Sequence, residues 1–227
     1  MDAVKTNAKK TRALKKYEAA PVAYATDPGD PSLGDPSLAL FSPFGPLIAQ
    51  AAMPQALVER INRYADQVVG DGAGREFLVP KNVALDGGEQ SLMRLTEILI
   101  RRYLALADEP PAADVNIDVF WIVSQRAGTP SPVHFHSCDI SGVLYLKTPQ
   151  LDREDDELQK TYISGRQAGY INFLIGGKQR FAKSLISFRP RTGDIYIFPG
   201  WLLHGAEPFQ GKGERRSLAF NAYVDAP

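Results

Sequence analysis

The sequence predicts a mainly β fold, an antiparallel sandwich or barrel with helices packed on its outside. Two observations carry that expectation. From Asp114 onward, segments rich in β-branched and aromatic residues follow one another with no helix between them, separated by Gly, Pro and charged turns. Before that point, two stretches place their apolar residues at helical rather than alternating spacing.

Taken in order, residues 1–18 carry Lys5, Lys9, Lys10, Arg12, Lys15 and Lys16 against Asp2 and Glu18, the composition of a solvated tail. Residues 19–37 are dominated by Ala, Pro, Gly, Asp and Ser. Their near-repeat DPSLGDPSL reads as turns or linker. Residues 1–37 are therefore expected to be a basic flexible tail and linker, with a single domain over 38–227. Within it, 38–113 is helical support and 114–227 the β core.

The proline-broken LALFSPFGPL reads as an edge strand. Pro54 suits the first turn of a helix, and Leu57, Val58, Ile61, Ala65, Val68 and Val69 mark an amphipathic helix over 54–69. The glycines of 70–74 stop it. A short strand is expected at 77–83. A second helix, about 89–106, turns Leu92, Leu95, Leu99, Tyr103 and Leu106 inward. Strands are expected at 116–125, 140–147, 170–175, 184–188, 194–198 and 217–224. The acidic LDREDDELQK at 151–160 reads as a solvated excursion or a flap near the barrel mouth.

Bulk properties exclude some classes. Lys plus Arg and Asp plus Glu both number 26, so a formal net charge of zero argues against a whole-protein grip on nucleic acid. The single cysteine, Cys138, rules out an internal disulfide and points to a reducing compartment. No run of about 18 apolar residues offers a membrane span, and the N-terminus lacks the apolar core of a signal peptide. The expectation is a cytoplasmic protein with no membrane partner. The helical half offers an apolar surface on which a homodimer could form.

The chemistry concentrates in three histidines, His134, His136 and His204, all in late segments that read as strands or strand ends. Residues i and i+2 of a strand share a face. If 132–136 is extended, as Pro130 and Pro132 favour, His134 and His136 both reach one ion. Neutral imidazole suits first-row divalent metals. An H-x-H pair alone is a weak signal; its weight here comes from all the chain's histidines falling in these segments.

Three blocks, HFHSCDISGVLYL, RTGDIYIFPGWLLHGAEPF and ERRSLAFN, resemble the 2-oxoglutarate- and Fe(II)-dependent oxygenase superfamily, in particular bacterial and phage members with an H-x-H motif. The resemblance covers about residues 115–223. It implies a double-stranded β-helix, a jelly-roll barrel with Fe(II) in its mouth and 2-oxoglutarate as cosubstrate, acting as a hydroxylase. His134 matches the first iron ligand and His204 the distal one. Position 136 departs from the pattern, since most relatives carry a carboxylate there. Two solutions stand open: three imidazoles, favoured by strand parity, or Asp139 reaching back past a bulge at Ser137 and Cys138.

Arg215 matches the arginine that pairs with the far carboxylate of 2-oxoglutarate. Ser217 matches the hydroxyl two residues on, and Tyr145 a further hydroxyl donor. Arg216 is expected to point away. Asn221 and Trp201 are candidates for the substrate side. The substrate, a small molecule or a protein side chain, is out of reach of sequence. A rival reading is a cupin-like metal protein or dioxygenase that uses no 2-oxoglutarate; another is a structural barrel without a working metal site.

Overall fold

The computed structural model describes residues 25–30, 34–41, 45–70, 76–107, 114–151, 167–176 and 183–225. In chain order the elements are β1 (Ala25–Asp27), β2 (Leu38–Phe41), β3 (Ile48–Ala52), α1 (Gln55–Val69), β4 (Glu76–Leu78), α2 (Lys81–Leu85), a 3-10 turn (Gly88–Gln90) and α3 (Leu92–Leu106). Then come β5 (Asp114–Gln125), β6 (Ser131–His134), β7 (Ile140–Lys147), β8 (Gln150–Leu151), β9 (Ile171–Leu174) and β10 (Leu185–Phe188). The chain closes with β11 (Asp194–Pro199), β12 (Leu203–Ala206), β13 (Gly211–Lys212) and β14 (Arg215–Asp225).

The strands build an eight-stranded sheet, β1-β2-β3-β11-β7-β14-β5-β4, a four-stranded sheet, β10-β9-β12-β6, and a β8–β13 ribbon. Alternation along each strand divides the core in two. On β7 and β14, Ile140, Leu144, Leu146, Leu218, Phe220 and Ala222 join the apolar cluster that contains the buried faces of α1 and α3. The opposite parity looks the other way. Tyr145 of β7 with Tyr196 and Phe198 of β11 meets Ile171, Phe173, Ile186 and Phe188 of the smaller sheet. The two sheets thus face each other across an aromatic interior, with helices on the outer face of the larger one. This is the double-stranded β-helix with flanking helices.

Both long helices form for legible reasons. α1 follows Pro54, buries Leu57, Val58, Ile61, Ala65 and Val69, and ends at Gly70, whose φ of 49° suits glycine. α3 starts at Ser91, whose Oγ accepts from the Arg94 N–H at 3.3 Å.

The structure departs from expectation at the N-terminal side. β1 lies inside the stretch read as linker, because Asp27 pairs with Arg102 of α3 at 2.6 Å. β2 is not an edge strand but sits between β1 and β3. β3 (IAQAA) carried no strand signature and is ordered by partners on both sides. The strand expected over 77–83 stops at Leu78. Pro80 cannot donate to a ladder and instead precedes a short helix. The tail of residues 1–18 and positions 152–160 of the acidic segment lie outside the described residues. No helix is long and apolar enough to cross a membrane among the described residues.

Candidate metal centre

Two neighbouring strands of the smaller sheet bring the histidines together. His204 on β12 is the cross-strand partner of His134 on β6, so their side chains leave the sheet on the same side. His136 lies two residues on, in the turn after β6. That turn is stitched to the one before β12: the His136 N–H donates to the Gly200 carbonyl at 2.8 Å, and the Gly200 N–H to the Asp139 carbonyl at 2.9 Å. Only glycine fits at 200, because a Cβ there would lie 2.8 Å from Cys138 Sγ and 2.9 Å from its carbonyl carbon. Ring centroids are 4.4 Å apart for His134 and His204, 5.0 Å for His134 and His136, and 5.2 Å for His136 and His204. One nitrogen from each of the three rings lies within 4.8 Å of the others.

Hydrogen bonds set the ring chemistry. His134 Nδ1 meets the Pro132 carbonyl at 2.7 Å, and His204 Nδ1 meets the Leu202 carbonyl at 2.9 Å. A carbonyl only accepts, so each Nδ1 carries the proton and each Nε2 presents a lone pair. Burial holds the His204 imidazole down at a pKa of about 4. Burial, then the neighbouring His134, lowers that of His136. Neutral rings are the form that binds a metal. A cluster of three imidazole nitrogen donors fits a first-row divalent ion such as Fe(II). Asp139 stands apart from the cluster, its Oδ2 accepting from the Val224 N–H at 2.9 Å.

At the other end of β6 and β12 lies Arg215, which is 1% exposed. Its Nε and Nη2 donate to Gln125 Oε1 at 2.9 and 2.7 Å, Nη1 to the Glu207 carbonyl at 2.6 Å, and Nη2 to the Thr129 carbonyl at 3.3 Å. All of these acceptors are neutral, and among the described residues no carboxylate forms an ion pair with it. Burial pushes its pKa down, with Tyr145 and Glu207 acting the other way. Ser217 and Tyr145 are cross-strand partners on β14 and β7. Neither hydroxyl has a hydrogen-bond partner among the described residues. Burial raises the Tyr145 phenol to about 12, so it stays a donor. Arg216 points to the opposite face, as expected, donating to Asp66 and Asn62 of α1.

Against His136 a cavity of about 380 Å³ is lined also by Glu76, Phe77, Leu78, Trp121 and Asn221. Trp121 meets His136 edge-on at 5.7 Å. Asn221 is held by Ser141 Oγ, which donates to its Oδ1 at 3.2 Å. Trp201, read from sequence as a substrate-side candidate, is half exposed and does not line this cavity. Sequence reasoning missed Gln125, Glu76 and Leu78. β-Strand parity places Gln125 on the face of Trp121, but nothing in the sequence pairs it with Arg215.

Residues 119–221 match the family model described as "Putative 2OG-Fe(II) oxygenase". No curated protein matches the sequence. Among solved structures, the chain is similar to a prolyl-4-hydroxylase from Pseudomonas putida, at 16% identity and a TM-score of 0.51 over 79% of this chain and 88% of that one. It is similar to the non-heme alpha ketoglutarate dependent epimerase SnoN from nogalamycin biosynthesis, at 13% identity and a TM-score of 0.51 over 79% and 78%. A viral collagen prolyl hydroxylase from Paramecium Bursaria Chlorella virus-1 gives 12% identity and a TM-score of 0.50 over 81% and 92%. At these identities the likeness is one of fold.

Proposed function

We propose that this chain, which matches the model of the 2-oxoglutarate- and Fe(II)-dependent oxygenases over residues 119–221, is a hydroxylase in which His134, His136 and His204 hold the iron and Arg215 receives the far carboxylate of 2-oxoglutarate. The observation that carries this reading is a pairing of two unmet demands on one barrel. Three imidazoles converge, two of them with Nδ1 bonded to a carbonyl, and a buried guanidinium beside the same two strands makes no ion pair with a carboxylate among the described residues. A buried unpaired charge is costly unless a ligand neutralises it. Metal, cosubstrate and dioxygen together would supply the hydroxylation of a substrate C–H bond, one oxygen atom going to the substrate and the other to the succinate formed from 2-oxoglutarate as carbon dioxide leaves.

The protein's own residues bind and orient. Nδ1 bonds to Pro132 and Leu202 fix two of the imidazoles in the ligating tautomer. Ser217 and Tyr145 offer hydroxyl donors beside Arg215. His136 takes the place of the usual carboxylate, since Asp139 is engaged with Val224. With no anionic ligand from the protein, a bound divalent metal would keep its full charge, and the near carboxylate of 2-oxoglutarate would offset one unit of it. The cavity bounded by Trp121, Asn221 and Leu78 is the approach for the substrate, a small molecule or a protein side chain. With its single buried Cys138 and balanced charge, we read the protein as cytoplasmic and not bound to nucleic acid. A metal protein without 2-oxoglutarate has no need of a buried guanidinium lacking a counter-ion.

Equilibrium dialysis with Fe(II) under argon tests the ligand set. The wild-type chain should hold one equivalent and His204→Ala well under half of that. Equal iron in both would remove His204 from the site. Arg215→Ala should keep its iron and lose 2-oxoglutarate.

A further inference from the structure

Resting on that reading of Arg215, we propose that Gln125 is a positioning residue that aims the guanidinium while leaving its charge for the cosubstrate. Gln125 lies opposite Arg215 across the β5–β14 pair. Its Oε1 accepts from both Nε and Nη2 of the arginine at 2.9 and 2.7 Å. Both N–H groups of that edge of the guanidinium converge on one neutral amide oxygen, where a carboxylate would bring two oxygens and a negative charge. The other end of the amide shows why. Gln125 Nε2 donates to the Pro130 carbonyl at 3.2 Å and to Ser131 Oγ at 3.0 Å. Because the Pro130 carbonyl can only accept, the amide is held one way round, with oxygen toward Arg215. A glutamate would turn an oxygen against that carbonyl.

Two consequences follow from the neutral partner. The remaining acceptors, the Glu207 and Thr129 carbonyls, are neutral too, so four of the five N–H groups are directed without any charge being cancelled. A single N–H of Nη1 is left for a ligand, and the charge, met by no carboxylate ion pair among the described residues, sits in a low-dielectric interior where it acts strongly. Gln125 also ties the arginine to Ser131, the first residue of β6, whose last residue is His134. The anion grip and the metal strand are therefore built on one amide.

The test compares two substitutions in the full chain loaded with redox-inert Ni(II), titrating 2-oxoglutarate by calorimetry and recording melting temperature and metal content. Gln125→Glu preserves shape and supplies an internal counter-ion. Gln125→Met preserves length and neutrality but removes the hydrogen bonds. Charge reservation predicts that Gln125→Glu weakens 2-oxoglutarate binding by about tenfold or more. It should do so more than Gln125→Met, while melting no lower than Gln125→Met and keeping its Ni(II). A purely structural role predicts the reverse order, with Gln125→Met the weaker binder, and that order would overturn the proposal. So would a Gln125→Glu chain that fails to fold or binds 2-oxoglutarate as wild type does; the assignment of Arg215 would survive both. If the wild-type Ni(II) protein takes up no 2-oxoglutarate, the reading of Arg215 itself fails and this proposal falls with it.

Discussion

At the scale of single residues, Gly200 is where backbone geometry and the proposed metal site meet. Its N–H and carbonyl bridge the turn that carries His136 and Asp139, while the chain leaves it toward His204. Its tolerance is a matter of space rather than of φ, since a methyl group would press on Cys138. Gly200→Ala should cost about 1–3 kcal/mol of stability, the usual range for overpacking. It should lower metal affinity as well, because the two turns must part and the imidazoles with them. Denaturant titration of the metal-free protein and dialysis with Ni(II) read the two effects separately; unchanged metal affinity would mean that the turns are not coupled. The histidines were legible because their chemistry resides in residue type. Gly200 and Gln125 were not, since a glycine in a turn or an amide in a strand acquires meaning only from what the fold places against it.

At the scale of elements, the contact between α1 and the larger sheet is pinned by charge as well as by apolar packing. Arg216, buried on the helix side of β14, donates to Asp66 at 2.7 Å and to Glu214 at 2.7 and 2.9 Å, and Lys147 reaches Asp66 at 2.9 Å. Hydrogen bonds from Lys147 and then Arg216 hold the Asp66 carboxyl below its ordinary range. For Glu214, burial acts upward but hydrogen bonds from Arg216 and Ser124 prevail, and it too is lowered. A carboxylate with a depressed folded pKa stabilises above its unfolded pKa, and the contribution is lost as pH falls through the folded value. Asp66 is more than half exposed, so solvent screens its pairs, and Asp66→Asn should lower the melting temperature at pH 7 by only roughly 1–2 °C, the equivalent of about 0.5 kcal/mol. The gap to wild type should close as pH falls below the usual carboxylate range. A gap independent of pH would assign the loss to packing.

The elements also divide by how they could be read. α1, α3 and the strands β5, β7, β9, β10, β11 and β14 follow period and turn chemistry, and they lie where the pattern put them, whereas β8, β12 and β13 were not among the expected strands. β3, with three alanines and a glutamine, owes its conformation to β2 and β11, a tertiary cause that no local pattern carries. β1 likewise depends on an ion pair with a helix 75 residues away in sequence.

For the whole molecule, the proposed ligands occupy both halves of the barrel. The imidazoles belong to the smaller sheet and its following turn, and the guanidinium to the larger sheet. A metal alone closes only the smaller sheet on itself. A dicarboxylate held by the metal at one end and by Arg215 at the other joins the two sheets. Anything that binds the folded chain stabilises it by mass action, about 2.7 kcal/mol at a hundredfold excess over Kd. At roughly 2–4 °C per kcal/mol for a chain of this size, each saturating ligand should raise the melting temperature by about 5–10 °C. The order of addition distinguishes the two sites. Ni(II) should shift the midpoint alone, and 2-oxoglutarate should add its shift only after the metal is present, because without it the far carboxylate has Arg215 but the near end has nothing to chelate. In His204→Ala both shifts should disappear. In Arg215→Ala the metal shift should remain and the 2-oxoglutarate shift should shrink. Equal shifts by 2-oxoglutarate with and without Ni(II) would place its binding away from the histidines and separate the two halves of the proposed site.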